Sequence, residues 1–188
     1  MITYEVNRAE LELVEKKLGA MKSKAPQVFK NAVNKTARQA RKRIAQSAKG
    51  AYTVKQVGFN SHMKIKNAST GNLTASVDAD GKPLTLVRFK NRAGRPKKGG
   101  AAAAADIVNS GMKQLVSSQG GKAFKRNGLV MQREGKDRLP VKVFHSNSVP
   151  KMVEKVYQGE RGMAGALKEP IQSDLRKNLE AEIKKIVG

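Results

Sequence analysis

The sequence of 188 residues has no cysteine and no tryptophan, and only 4% of its residues are aromatic. Without cysteine the chain has neither disulfides nor thiolate metal ligands, which fits synthesis in a reducing cytosol. Hydrophobic residues make up 39% of the chain, enough for a modest core but little for this length. We therefore expect a single domain over residues 1–188 that gains part of its stability by packing on other subunits.

Long apolar runs are also missing. The longest, Ala101 to Ala105, is far too short to span a bilayer, and no signal-like apolar segment follows Met1. The sequence thus predicts a soluble intracellular product that makes no contact with a membrane.

Acidic residues are scarce and unevenly distributed. Lys and Arg total 38 against 15 Asp and Glu, which gives a formal net charge of +23. No acid occurs between Glu15 and Asp78, whereas fourteen basic residues lie from Lys16 to Lys66. A second acid-free stretch, from Gly81 to Ala105, contains seven basic residues. Such an imbalance predicts an anionic partner, for which nucleic acid is the usual candidate.

Apolar spacing predicts helices at both ends of the chain. A first helix covers about Asn7–Met21, where Asn7 and the glutamate three residues later have capping-box spacing. A second runs from Pro26 to about Lys49 and is closed by Gly50. A short helix capped by Ser148 reaches Tyr157, and a final helix covers about Leu167–Val187.

The second helix is amphipathic on a wheel of 100° per residue. Its apolar face contains Phe29, Val33, Thr36, Ala40, Ile44 and Ser47. Its opposite face contains Lys35, Arg38, Arg41, Lys42 and Lys49. Like charges three or four residues apart destabilise a helix, so a cationic face without interleaved acids predicts an external counter-charge. Either nucleic acid or an acidic protein neighbour could supply it.

The middle of the chain predicts strands. These are His62–Lys66, Leu73–Val77, Pro83–Phe89, Lys122–Glu134 with a hairpin turn at Arg126–Gly128, and a last strand at Leu139–Phe144. Thr53–Val57 reads as a short helical turn. The order of elements predicts an α+β fold with N-terminal helices, a small, mostly antiparallel central sheet and C-terminal helices.

A segment rich in Arg, Lys, Gly and Pro predicts a mobile basic loop at about residues 90–105. Its candidate anion-binding residues are Arg92, Arg95, Lys97 and Lys98. Because aromatic residues are few, any DNA contact should be directed at the backbone and independent of sequence.

Catalytic patterns are weak. His62 and His145 have no acid or second histidine at ligand spacing, and Asp78 and Asp80 read as part of a structural turn. We therefore predict no enzyme activity, no cofactor and no metal. Two alternative functions remain open. One is a sequence-independent nucleic-acid-binding protein of the ribosome- or nucleoid-associated type, and the other is a small nuclease or toxin that uses His62 or His145.

Several stretches, taken together, resemble the phage minor tail protein Z family, the tail completion proteins of lambda-like tailed phages. The stretches are residues 31–38 (NAVNKTAR), 41–44 (RKRI), 52–55 (YTVK), 83–89 (PLTLVRF), 135–141 (GKDRLPV), 148–152 (SVPKM) and 178–183 (NLEAEI). Their order and spacing match over roughly residues 25–187. The chain departs from the family pattern between Arg92 and Ser118, where Ala-rich sequence replaces a more basic linker.

The resemblance implies a late-expressed virion protein of the tail or neck, assembled in the host cytoplasm, with no catalytic role. It implies a homo-oligomeric ring, expected to be a hexamer, at the head-proximal end of the tail. The implied partners are the tail tube or tail terminator and the head–tail connector proteins, with non-specific contact to genomic DNA. A ring would also explain how a chain with a small aromatic content is stable.

Overall fold

The protein is described by a computed structural model over residues 2–4, 8–55, 57–92, 103–115, 122–135, 137–160 and 166–187. The α+β class predicted from the sequence is confirmed. The chain divides into two compact units. The first comprises Met1–Gln46, Asn60–Asp80 and Val153–Gly188, and the second Ser47–Phe59 and Gly81–Met152.

The first helical segment is shorter than predicted. Helix α1 covers Arg8–Leu18 and buries Val14 and Leu18, which are four residues apart. It ends there because Gly19 has a φ of +54°, and a 3₁₀-helix follows over Gly19–Lys24. The predicted cap at Asn7 lies outside the described residues.

Helix α2 covers Ala25–Ala51 and is the longest element. The predicted apolar face is confirmed: Phe29, Val33, Thr36, Ala40 and Ile44 are at most 1% exposed, and Ser47 is half-buried. The predicted end is wrong, because Gly50 stays helical and the helix continues to Ala51. Helix α3 covers Val149–Gln158, and the predicted cap is confirmed, since the backbone N–H of Lys151 donates to Ser148 Oγ at 3.4 Å.

The C-terminal helix α4 spans Lys168–Val187 and belongs to the first unit. Along one face of this helix, Ile171, Leu175, Leu179 and Glu182 are buried, and Ile186 is half-buried. Helix α1 packs against α4.

The first unit also has a three-stranded antiparallel sheet in the order β1-β3-β2. The strands are β1 (Ile2–Tyr4), β2 (Met63–Lys66) and β3 (Ala75–Ala79). Strand β2 begins one residue later than predicted, because His62 ends a short 3₁₀-helix. Strand β3 begins two residues later than predicted, because Ser69 and Asn72 close a turn and the Thr74 N–H donates to the Asn72 side chain. Asp78, predicted to lie in a turn, instead lies within β3.

The described strands of the second unit are short and pair antiparallel. Its described strands are β4 (Pro83–Thr85), β5 (Lys90–Arg92), β6 (Ala104–Asp106), β7 (Lys113–Gln114), β8 (Phe124–Arg126), β9 (Leu129–Arg133), β10 (Val141–Val143) and β11 (His145–Ser148). Their orders are β10-β9-β8, β11-β4 and β5-β6-β7. The strands, predicted to form one central sheet, are thus distributed over several small sheets in the two units.

The hairpin turn predicted near Arg126–Gly128 is confirmed. Asn127 and Gly128 have φ values of 49° and 74° and connect β8 to β9 in two residues. Positive φ at both central positions is the geometry of a type I′ turn, for which Asn-Gly is the preferred sequence.

Three other predictions in the second unit are wrong in part. The chain after Thr85 turns into a 3₁₀-helix, so the strand predicted to reach Phe89 ends early. Thr53 starts no helical turn, because its N–H donates to Ile107 O and its hydroxyl to Asp106 O. The last strand is β11, which pairs with β4 beyond the predicted end at Phe144.

The boundaries predicted for the basic loop at 90–105 are too wide. Strands β5 and β6 pair antiparallel with Arg92 opposite Ala104, so both ends of that segment are regular. Ala103, Ala104 and Ala105 are buried. The remainder, residues 93–102, lies outside the described residues.

Candidate polyanion-binding face

The exposed residues of α2 within the first unit have only two kinds of side chain. They are Gln27, Lys35, Arg38, Gln39, Lys42 and Gln46. All are amides or cations, and none is apolar or acidic. We call the three cations Lys35, Arg38 and Lys42 the stripe, since they lie within about 60° on the helical wheel. Arg38 and Lys42 make no hydrogen bond or ion pair with any described residue.

One flank of α2 is bound to α4 through a row of polar contacts. Arg43 Nη2 lies 2.9 Å from Asp174 Oδ2. The amide nitrogen of Asn178 donates to Thr36 Oγ1 at 2.9 Å and to Gln39 Oε1 at 2.8 Å. As residue numbers increase along α2, the numbers of their partners on α4 decrease, so the two helices are antiparallel.

Glu182 completes this row at the end nearest the stripe. Its Oε2 accepts from Asn31 Nδ2 at 3.1 Å, and its Oε1 from Lys185 Nζ at 2.5 Å. The hydrogen bond from Lys185 lowers the pKa of Glu182 against the opposing effect of burial, and the charge of Lys35 lowers it further. The fold thus provides an internal acid that partly compensates Lys35.

The other flank of α2 contacts the edge strand β2 and the segment that follows it. Strand β2 is an edge strand, and Arg41 Nη1 donates to the Met63 carbonyl at 3.5 Å. Beyond the strand, Asn34 Nδ2 donates to Ala68 O at 3.0 Å, and Ala68 N–H donates to Asn34 Oδ1 at 2.7 Å. These contacts attach α2 to the first residue of β2 and to the segment after the strand.

The structure brings together some of the predicted binding residues and separates others. Lys35, Arg38 and Lys42 share one exposed stripe, whereas Arg41 is half-buried and bound to Met63. Lys49 and Arg92 are exposed in the second unit. The predicted residues Arg95, Lys97 and Lys98 lie outside the described residues.

Sequence reasoning missed the acids of α4. Asp174 and Glu182 lie far along the chain from α2, so the helix read by itself lacks any counter-charge. Within the predicted face, the expectation that no internal acid is near is wrong in part for Lys35. Arg43, which lies outside that face, pairs with Asp174. One signal was available in the sequence. Glu182 lies among otherwise apolar residues on one face of α4, and a buried carboxylate requires partners.

The histidines form no catalytic pair within either unit. His62 Nδ1 lies 3.1 Å from the Asp80 carbonyl in the first unit, and His145 Nδ1 lies 3.2 Å from the Val143 carbonyl in the second. Asp78 binds Lys66 Nζ at 2.7 Å, and that bond lowers the pKa of its carboxyl. Across the described ranges, no group of three His, Asp or Glu side chains is arranged to hold a metal ion.

Comparison with known proteins yields no relative. No family model matches the chain, and searches of curated proteins and of solved structures find no match. Every helix in the described part of the chain is too short or too polar to cross a membrane.

Proposed function

We propose that the protein is a non-catalytic structural subunit of a phage tail or neck, a minor tail or tail completion protein. In this role it forms a homo-oligomeric ring at the head-proximal end of the tail, where it takes part in head–tail joining and DNA passage. The proposal begins from the ordered resemblance over residues 25–187.

The observation that carries the proposal is that residues 31–38, one of the family-like stretches, contain both residues that bind the rest of the fold and exposed cations. Asn31 binds Glu182, Asn34 binds Ala68 and Thr36 accepts from Asn178, so the polar residues of this stretch bind α4 and the segment after β2. The cations between them, Lys35 and Arg38, are exposed. A helical segment whose polar residues bind the rest of the fold and whose cations are exposed suits a subunit that faces an anion.

The ring requires neighbours on both sides of each subunit. Heterologous contacts close into a ring when the rotation between subunits closes, and a hexamer would match a six-fold tail tube. The proposed partners are the tail tube or tail terminator and the head–tail connector proteins, and the place of action is the virion. The proposed role uses no cofactor and no membrane.

Light scattering coupled to size exclusion tests this proposal. The purified protein is measured alone and after mixing with tail-tube protein from the same phage. We expect a ring-sized species, formed alone or on the tube, and rings at one tube end by electron microscopy. A monomer under both conditions, with no density at the tube end, would contradict the proposal.

The stripe itself favours a second candidate function, a sequence-independent nucleic-acid-binding protein of the ribosome- or nucleoid-associated type. Protein–nucleic acid interfaces are strongly positive, and the stripe carries three exposed cations. This candidate predicts a monomer or dimer that binds free DNA or RNA tightly at physiological salt. A tail subunit predicts a ring that binds free DNA weakly.

A further inference from the structure

The exposed surface of α2 in the first unit has the wrong composition for a protein partner. The centre of a stable protein–protein interface is enriched in aromatic residues, Met and Arg and depleted of Lys. Here the exposed side chains comprise three amides and three cations, every one of which can donate a hydrogen bond. Phosphate oxygens accept from lysine, arginine and glutamine alike. The surface therefore suits a phosphate backbone better than an acidic protein.

The length of the stripe is comparable to a short run of phosphates. At a rise of 1.5 Å per residue, Lys35 and Arg38 are separated along the axis by about 4.5 Å, and Arg38 and Lys42 by about 6 Å. A duplex carries one phosphate per strand for about every 3.4 Å of its axis. The stripe, about 10.5 Å long, thus covers roughly three phosphates of one strand.

The carboxylates nearest the stripe are withdrawn from its outer side. The side chains of Asp174 and Glu182 are only 19% and 11% exposed, and both are engaged in the contacts with α2 and Lys185. Gln39 Oε1 accepts from Asn178, which leaves its amide nitrogen as a donor on the exposed surface. An approaching polyanion meets donors and cations first.

We propose that the stripe formed by Lys35, Arg38 and Lys42 binds the phosphate backbone of nucleic acid without reading its sequence, with Gln39 as a neutral donor beside it. This inference rests on the proposed function only in that the stripe faces an external anion. It assigns that anion to nucleic acid and not to an acidic neighbouring subunit.

The test compares the salt dependence of binding to a short DNA duplex of arbitrary sequence. The stripe variant carries Lys35→Gln, Arg38→Gln and Lys42→Gln. The control carries Lys82→Gln, Lys113→Gln and Arg126→Gln, which removes the same charge from exposed positions of the second unit. Circular dichroism and thermal unfolding verify that both variants are folded.

Neutralising three phosphate contacts should reduce the slope of log K against log salt by about 2.7 for a duplex and about 2.1 for a single strand. We expect this reduction for the stripe variant and a reduction below about one for the control. Equal reductions in the two variants would mean that net charge alone binds DNA, and the proposal would fail.

Light scattering of the same variants separates this inference from the proposed function. If the stripe binds nucleic acid, the stripe variant keeps the oligomeric state of the wild type. An unchanged DNA slope combined with loss of the ring would assign the stripe to an acidic subunit surface. That outcome would overturn the inference and leave the ring proposal standing.

Discussion

The flanks and the exposed stripe of α2 both consist of polar residues, yet they differ in what they bind. On the flanks, Arg41 binds the edge strand β2, Asn34 binds the segment after it, and Arg43 binds Asp174 of α4. On the stripe, Arg38 and Lys42 bind none of the described residues. Polar residues on one helix can therefore serve either the fold or a partner, and their contacts tell the two roles apart.

The largest effect is expected from Asn178, whose amide joins α2 to α4 and is 5% exposed. Asn178→Ala removes the hydrogen bonds to Thr36 and Gln39 and leaves a small cavity. We expect the free energy of unfolding in urea to fall by about 3 kcal/mol. Lys177→Ala, on the exposed side of α4, should change it by less than about 0.5 kcal/mol. Equal effects of the two substitutions would remove the distinction between flank and surface.

A smaller loss is expected on the sheet flank. Asn34→Ala removes both hydrogen bonds to Ala68 and leaves a backbone N–H and a carbonyl without their partner. The expected loss is about 2 kcal/mol in urea unfolding, against less than about 0.5 kcal/mol for exposed Gln46→Ala on the same helix. An unchanged stability would mean that the segment after β2 is held by other contacts.

Glu182 makes the stability of the contact between α2 and α4 dependent on pH. Because Lys185 lowers its pKa in the folded state, the unfolded state binds more protons at acidic pH. The stability that Glu182 contributes is therefore fully present above the unfolded pKa, about 4.3, and is lost as pH falls through the folded pKa.

Glu182→Gln should cost about 1 kcal/mol at neutral pH, with the difference from wild type shrinking as pH falls below about 4. Urea unfolding at a series of pH values measures it, and exposed Glu180→Gln serves as the control. A difference that is constant with pH would show that the charge of Glu182 contributes nothing to the bond with Lys185.

The sequence predicts local features of this fold well, because their causes are local. The apolar spacing from Phe29 to Ile44 and the Asn127–Gly128 turn each carry their own signal in a few residues. Strand β11 carries no such signal, since His-Ser-Asn-Ser has little strand preference. It is a strand because β4 pairs with it.

The distinction between local and distant causes also applies to the candidate site. The cations of α2 and their common face could be predicted from helical periodicity alone. Their sorting into bound and exposed groups could not, because it depends on contacts with distant residues such as Asp174, Met63 and Ala68. Arg41 and Arg38 look alike in sequence, and only the position of β2 gives Arg41 a structural role.

The smallest effect on stability is expected for the stripe variant, and this variant tests the role of the stripe most directly. If Lys35, Arg38 and Lys42 serve only an external anion, replacing all three by glutamine leaves the subunit intact. The measurement is the free energy of unfolding in urea at low salt, where repulsion between these cations is least screened. We expect a change within about 0.5 kcal/mol, because the lost attraction of Lys35 for Glu182 is offset by the relief of repulsion between cations three and four residues apart. A loss above about 1.5 kcal/mol would contradict the account, because it would mean that the stripe holds the fold together.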